Sequence, residues 1–186
     1  PLLGSPVDGA ISACGQARGP LQALRPDLNI AVNEPRAGTI RLVENWNGRF
    51  AGLAGGGGVL TMASVGAVVQ GELEARLGAN WLPNRVLLTR RGGRMEMTGT
   101  PAAYRWMAKG LSIDGVELAL PPKQRWEGLY GRLSGEGTLG LQPLAMEADL
   151  SLSRPGLMGL QLRQILLSGR YKDRRYSITG ELLPPD

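Results

Sequence analysis

Histidine is absent from the 186 residues, and cysteine occurs once, at Cys14. The first absence excludes His-based nucleophile triads and His metal sites. The second excludes an internal disulfide and leaves the redox compartment open. Aromatic side chains make up 5% of the chain, with a single Phe, which is little ring bulk for a compact sandwich core. No apolar run has the length of a membrane-spanning helix. Charge is not scarce: the net charge is +5, with the densest positive groups at Arg90-Arg91 with Arg94 and at Lys172 with Arg174-Arg175. That balance permits contact with anionic lipid or nucleic acid and demands neither.

What the chain has in quantity is turn residues, 28 Gly and 13 Pro, set between alternating apolar runs. Such an arrangement predicts strands joined by turns, not disorder, in one ordinary domain. The stretch from Gly131 to Glu181 is the clearest case. Leu144, Met146, Ala148, Leu150 and Leu152 fall on one side of an extended chain, and Ala145, Glu147, Asp149, Ser151 and Ser153 on the other. Pro155-Gly156 reads as a turn, followed by a strand carrying Leu160 and Leu162 on one face. Tyr176, Ile178 and Gly180 repeat the pattern.

Upstream, Ile11 with Ala13 and then Leu28, Ile30 and Val32 alternate with polar or small residues, and Glu34 to Gly38 reads as a turn before Ile40 and Leu42. Asn47-Gly48 carries a hairpin signal, and the Gly55–Gly58 run reads as a flexible connection. The sharpest strand sets Val69, Gly71, Leu73, Ala75 and Leu77 against Gln70, Glu72, Glu74 and Arg76. Met95 and Met97 alternate after a turn at Gly92-Gly93. The segment 101–109 has helix-like ends, Pro at the start and Gly110 beyond the finish, but Tyr104, Trp106 and Ala108 alternate with Arg105, Met107 and Lys109, and strand is the preferred reading. Val116, Leu118 and Leu120 form a further strand closed by Pro121-Pro122. A weak internal repeat relates residues 9–45 to 131–165: a Gly-rich strand, a kink, an alternating strand, a Pro turn and another strand. Repeated strand-turn units point to an extended, stacked β-architecture.

Motifs that carry chemistry are weak. Gly135-Glu-Gly137-Thr-Leu-Gly140 fits the spacing of a dinucleotide fingerprint, but a period-two strand follows where a helix is required, so close packing of a strand explains it better. Tyr171-Lys-Asp-Arg-Arg-Tyr176 interleaves aromatic and basic residues, as nucleic-acid surfaces do, yet it sits where a hairpin must turn. Glu72 with Glu74, and Glu147 with Asp149, share a face two residues apart, which a solvated strand face also explains. No residue set nominates a catalytic centre, a metal site or a cofactor.

Several stretches together resemble the TamB family of translocation and assembly module proteins, in its cyanobacterial and plastid-related branch. They are NWLPNR at 80–85, GTPAAYRW at 99–106, VELALPP at 116–122, WEGLYGRLSGEG at 126–137 and LQLRQILLSGRYKDRRYSITGELL at 160–183. The resemblance implies a non-enzymatic protein anchored in the inner membrane that crosses the periplasm to an Omp85-type outer-membrane partner. It further implies strands curled into a taco-like trough, apolar within and polar without, that serves outer-membrane biogenesis as a phospholipid conduit or an assembly factor for barrel proteins. The chain opens at Pro1 in what reads as a turn, and it carries no anchor, so residues 1–186 read as one internal segment, flanked by neighbouring β-trough segments of the same protein. The expectation is therefore an all-β, elongated, curved sheet of many short strands with an apolar concave face that holds phospholipid acyl chains. That face is expected to be lined by Leu73, Ala75, Leu77, Val116, Leu118, Leu120, Leu144, Met146, Ala148, Leu150, Leu152, Leu160, Leu162 and Ile178. The alternatives are a chaperone that receives an unfolded barrel strand by edge pairing and a closed β-sandwich module in which the same residues are core.

Overall fold

Period-two alternation, broken at short intervals by Gly, Pro or Asn, gives the chain no helical face to bury, and it folds as one sheet. The computed structural model describes residues 7–20, 24–67, 69–120, 125–141, 143–157 and 159–185. Among them lie fifteen strands and no helix, including a strand where residues 101–109 left helix open. In chain order they are Val7–Arg18 (β1), Arg25–Ala37 (β2), Ile40–Leu42 (β3), Asn45–Gly52 (β4) and Gly58–Val65 (β5). Gly71–Leu77 (β6), Pro83–Arg90 (β7), Gly93–Thr100 (β8), Ala103–Ser112 (β9) and Val116–Leu120 (β10) follow. Arg125–Leu141 (β11), Leu144–Leu157 (β12), Leu160–Gln161 (β13), Gln164–Lys172 (β14) and Arg175–Leu183 (β15) complete the set.

All pairings are antiparallel, and β4 through β9 form an uninterrupted meander. Two strands are kinked. β3 and β4 follow one another along a single edge of β2, and β9 and β10 do the same along β11. At these kinks the sheet divides. β4 and β9 are separated by β5–β8, whereas β3 and β10 pair directly, Ile40 with Leu118, Arg41 with Glu117 and Leu42 with Val116. The four strands β5–β8 are thus wedged into a gap that is sewn shut at one end. The pairings close a circuit of ten strands, β2 through β11, beyond which β1 extends from β2 and β12–β15 extend from β11. A wholly open trough was the expectation; the β3–β10 seam makes this part of the sheet closed.

Several turn signals serve other purposes. Gly55, Gly56 and Gly57 do form the β4–β5 connection, all with left-handed φ. Asn47-Gly48, in contrast, lies inside β4, where a side chain on Gly48 would stand 2.0 Å from the Thr61 carbonyl oxygen of β5. Pro155-Gly156 lies inside β12 and Glu34-Pro35 inside β2. In both cases the residue before the proline is left-handed, Arg154 at +49° and Glu34 at +41°, so the strand is re-aimed without being ended. The expected strand at Leu160 and Leu162 is reduced to the two residues of β13, and the Pro121-Pro122 stop lies outside the described residues.

Candidate functional site: an apolar band across the sheet

Residues in register on neighbouring strands point to the same face, so the pairings define rows of side chains that run across the sheet. In one row Leu28, Phe50, Leu60, Ala75, Val86 and Met97 stand side by side on β2 and β4–β8. Trp106, Gly137, Ala148, Gly169 and Ile178 continue it over β9, β11, β12, β14 and β15. A second row lies two residues along each strand. It runs Ile30, Gly48, Met62, Leu73, Leu88 and Met95, then Ala108, Gly135, Leu150, Leu167 and Gly180. Neither row contains a polar side chain. With strands about 4.8 Å apart, the two rows make a band roughly 50 Å long, measured along the curve and across the strands.

The intervening rows are of the opposite character. Asn29, Arg49, Thr61, Glu74, Leu87, Glu96 and Met107 form a row facing the other way, polar except at Leu87 and Met107, and Arg76, Arg85, Arg105 and Glu147 face that way too. Their charges pair locally: Arg49 Nε donates to Asp27 at 2.6 Å, Arg85 binds Glu96 at 2.8 Å, and Arg170 binds Glu147. The Arg49 guanidinium lowers the Asp27 carboxyl below its usual range, and Arg94 and then Arg85 do the same for Glu96. Two shallow hollows of about 730 and 610 Å³ lie on this wet face. One is lined chiefly by Arg94, Glu96, Arg105, Lys109 and Glu136, the other by Asn47, Arg49, Glu72 and Glu74. Both offer mixed charge, part of it engaged in ion pairs: Arg94 with Glu96 in the first, Arg49 with Asp27 and Glu74 with Arg76 in the second.

The band changes along its length. Between β4 and β9 it is inside the closed part: Phe50, Met62, Ala75 and Ala108 are buried, and Leu60, Leu73, Val86, Leu88, Met95 and Met97 are half-buried. Tyr104, 1% exposed, donates its hydroxyl to the Pro83 carbonyl at 2.7 Å, and the Trp81 ring rests 5.9 Å from that of Phe50. Beyond β11 Ala148 on β12 is still buried and Leu150 and Leu167 are half-buried. The band comes into the open at β15, where Ile178 is 69% exposed, and beside it on β12, where Met146 of the same face is 46% exposed.

The seam end is polar. Arg90, at the end of β7, binds the Glu44 carboxylate and donates to the Asp114 carbonyl at 2.6 Å, while Arg91 reaches the Asp114 carboxylate at 3.0 Å. Both kinks are thereby tied to the meander. Glu44 and Arg90 are buried, and Glu44 Oε2, Arg90 Nε and the neighbouring Trp46 Nε1 have no hydrogen-bond partner. Burial pushes the Glu44 carboxyl above its usual range, against the opposing pull of Arg90.

Of the expected lining residues, Leu73, Ala75, Ala148, Leu150 and Ile178 fall in the two rows, and Met146 and Leu152 lie on the same face of β12. Leu77 closes β6, beyond a bulge, and Leu144 opens β12, both on that face. Val116 and Leu118 belong to the seam instead, paired with β3 and β11. The side chain of Leu120 lies outside the described residues. Leu160 is 71% exposed on β13, and Leu162 lies in the link to β14, so neither joins the rows. Phe50, Leu60, Met62, Val86, Leu88 and Leu167 belong to the band and were not singled out from sequence, because alternation alone gives faces without register. No protein-family model, curated protein or solved structure matches the chain.

Proposed function

We propose that the chain is a segment of a TamB-like, envelope-spanning protein that supports outer-membrane biogenesis by holding or conducting phospholipid acyl chains. This reading gives it no catalytic step, a periplasmic setting, and an Omp85-type partner reached through the full-length protein. The observation that carries it is the apolar band: two rows without a polar side chain that run across the strands from the closed part of the sheet, the pouch, to its exposed end at β15. Acyl chains laid along such a band gain about 0.8 kcal/mol per buried methylene, so ten methylenes contribute about 8 kcal/mol before losses of chain entropy. No polar contact is needed to hold them, which suits a ligand that slides. The half-buried state of most band residues leaves apolar surface for a guest, and a contiguous apolar surface of this kind normally has an occupant.

The β3–β10 seam favours a second reading, in which the pouch is the core of a closed structural module and only its own side chains fill it. Photo-crosslinking in cells separates the two. Probes at Met146 and Leu150 should give phospholipid adducts while probes at Glu147 and Ser151 give none. Adducts to protein at Met146 and Leu150 would instead support barrel-strand chaperoning, and crosslinks confined to the chain itself would support the closed module. Leu150→Asp should impair lipid transport in a cell-based assay, whereas Ser151→Asp should not.

A further inference from the structure

The pairing of β1–β5 recurs, residue for residue, in β11–β15. Glu34 and Pro35 of β2 bulge opposite the single residue between Asp8 and Ala10, and Arg154 and Pro155 of β12 bulge in the same way opposite the single residue between Tyr130 and Arg132. Arg36 pairs with Arg41 and Ala37 with Ile40; Gly156 pairs with Gln161 and Leu157 with Leu160. At each kink a left-handed residue before proline donates its N–H across it, Glu34 to the Glu44 carbonyl at 3.0 Å and Arg154 to the Arg163 carbonyl at 2.9 Å. Beyond the kink, Asn33 faces Asn45 and Asn45 faces Val65, while Ser153 faces Gln164 and Gln164 faces Leu183. β15 therefore stands where β5 stands, with Ile178, Thr179 and Gly180 in the places of Leu60, Thr61 and Met62.

The two differ in what lies beyond. The outer edge of β5 is taken by β6, with Ala75 opposite Leu60, Glu74 opposite Thr61 and Leu73 opposite Met62. The outer edge of β15 meets no strand among the described residues. Which groups it presents follows from its hairpin. Asp173 and Arg174, at φ +52° and +60°, form a two-residue loop, so Lys172 and Arg175 share both backbone bonds. Alternate residues from there, Ser177, Thr179 and Glu181, are bonded to β14, which leaves the N–H and C=O of Tyr176, Ile178 and Gly180 facing outward. A nine-residue edge with Tyr176 and Ile178 78% and 69% exposed is a template for pairing.

The geometry points to this edge as an acceptor for an antiparallel strand of β6 chemistry, donated by another β-unit of the same build. Such a strand carries apolar residues at alternate positions, which extend the two rows of the band, and charged residues between them, one opposite Thr179 as Glu74 is opposite Thr61. The edge would accept it whether or not the band holds lipid.

The test uses the whole chain and a peptide of residues 70–78 as the probe. Amide exchange followed by NMR should show the Tyr176, Ile178 and Gly180 protons slowed at least tenfold at saturating peptide, with those of Ser177 and Thr179 unchanged. Ile178→Pro removes one outward donor and leaves the β14 bonds in place, and it should weaken peptide binding at least tenfold. Outward amides that keep their exchange rates would overturn the proposal, as would equal binding by Ile178→Pro or by a peptide with Leu73 and Ala75 replaced by Ser. Slowing of the same amides by raised concentration of the chain alone would make the β15 edge of a second copy the occupant, in place of a strand of β6 chemistry, since β6 is paired on both edges in every copy, and would overturn it too.

Discussion

Trp106 on β9 lies over Gly137, its register partner on β11, so closely that a methyl group on the glycine would stand 2.8 Å from Trp106 Cζ2. The same methyl would come within 2.1 Å of the Glu147 carbonyl oxygen on β12. Glycine here is a packing requirement at the point where the band leaves the pouch. Gly137→Ala should therefore destabilise the chain by about 1–3 kcal/mol, the ordinary cost of overpacking. A urea midpoint equal to wild type would show that β11 and β12 can part without cost.

The seam depends on Arg41. Its guanidinium sits 2.6 Å from Glu117 and 4.7 Å from the centre of the Trp126 ring, which Arg36 also approaches, at 4.9 Å. Arg41→Ala should cost roughly 1–2 kcal/mol and change the Trp126 fluorescence. It should also speed exchange of the Ala119 amide, which donates to the Thr39 carbonyl at 2.8 Å. Unchanged exchange at Ala119 would mean that the backbone pairing holds the seam alone.

Buried Glu44 sets a pH dependence of unusual sign. Its folded-state pKa is raised by burial above the ordinary value of 4.5. The folded chain then binds this proton more tightly than the unfolded chain, so stability from this group is full below about pH 4.5 and is lost as pH rises through the folded value. Asp27 and Glu96 act the opposite way, losing their contribution as pH falls below the ordinary carboxylate range. Thermal melts of Glu44→Gln should be flatter than wild type as pH is raised from 5 to 7. Parallel profiles would remove Glu44 as the cause.

The β14–β15 loop can be improved. Asp173 and Arg174 hold left-handed φ angles that glycine and asparagine adopt at less cost. Arg174→Gly should stabilise the chain by about 1 kcal/mol, read as a raised melting temperature. A lowered one would show that the arginine side chain contributes more than its backbone strain costs.

The strands were legible because an extended chain writes its faces into every second residue, and Leu73/Ala75 and Met146/Ala148/Leu150 are plain examples. The turns were half legible. Asn47-Gly48 and Pro155-Gly156 carry the residue types that turns use, but glycine also admits a close neighbour, and proline after a left-handed residue also builds a bulge. Local sequence does not distinguish these uses. The seam left no trace at all, since Arg41 and Glu117 are 76 residues apart and nothing near either announces the other. The membership of Phe50 or Leu88 in the band was hidden for the same reason, because it depends on register across strands.

The seam also sets an order of events in folding. Each hairpin of the meander joins residues a few positions apart and closes at small entropic cost, so β4–β9 can zip together locally. β3 and β10 meet only after all the strands between them have curled far enough to bring the two kinks side by side. Until then Glu44 and Arg90 remain in water, where neither charge is desolvated. On these loop-closure grounds the joint expected to form last is also the one that buries the only ion pair fully withdrawn from solvent among the described residues.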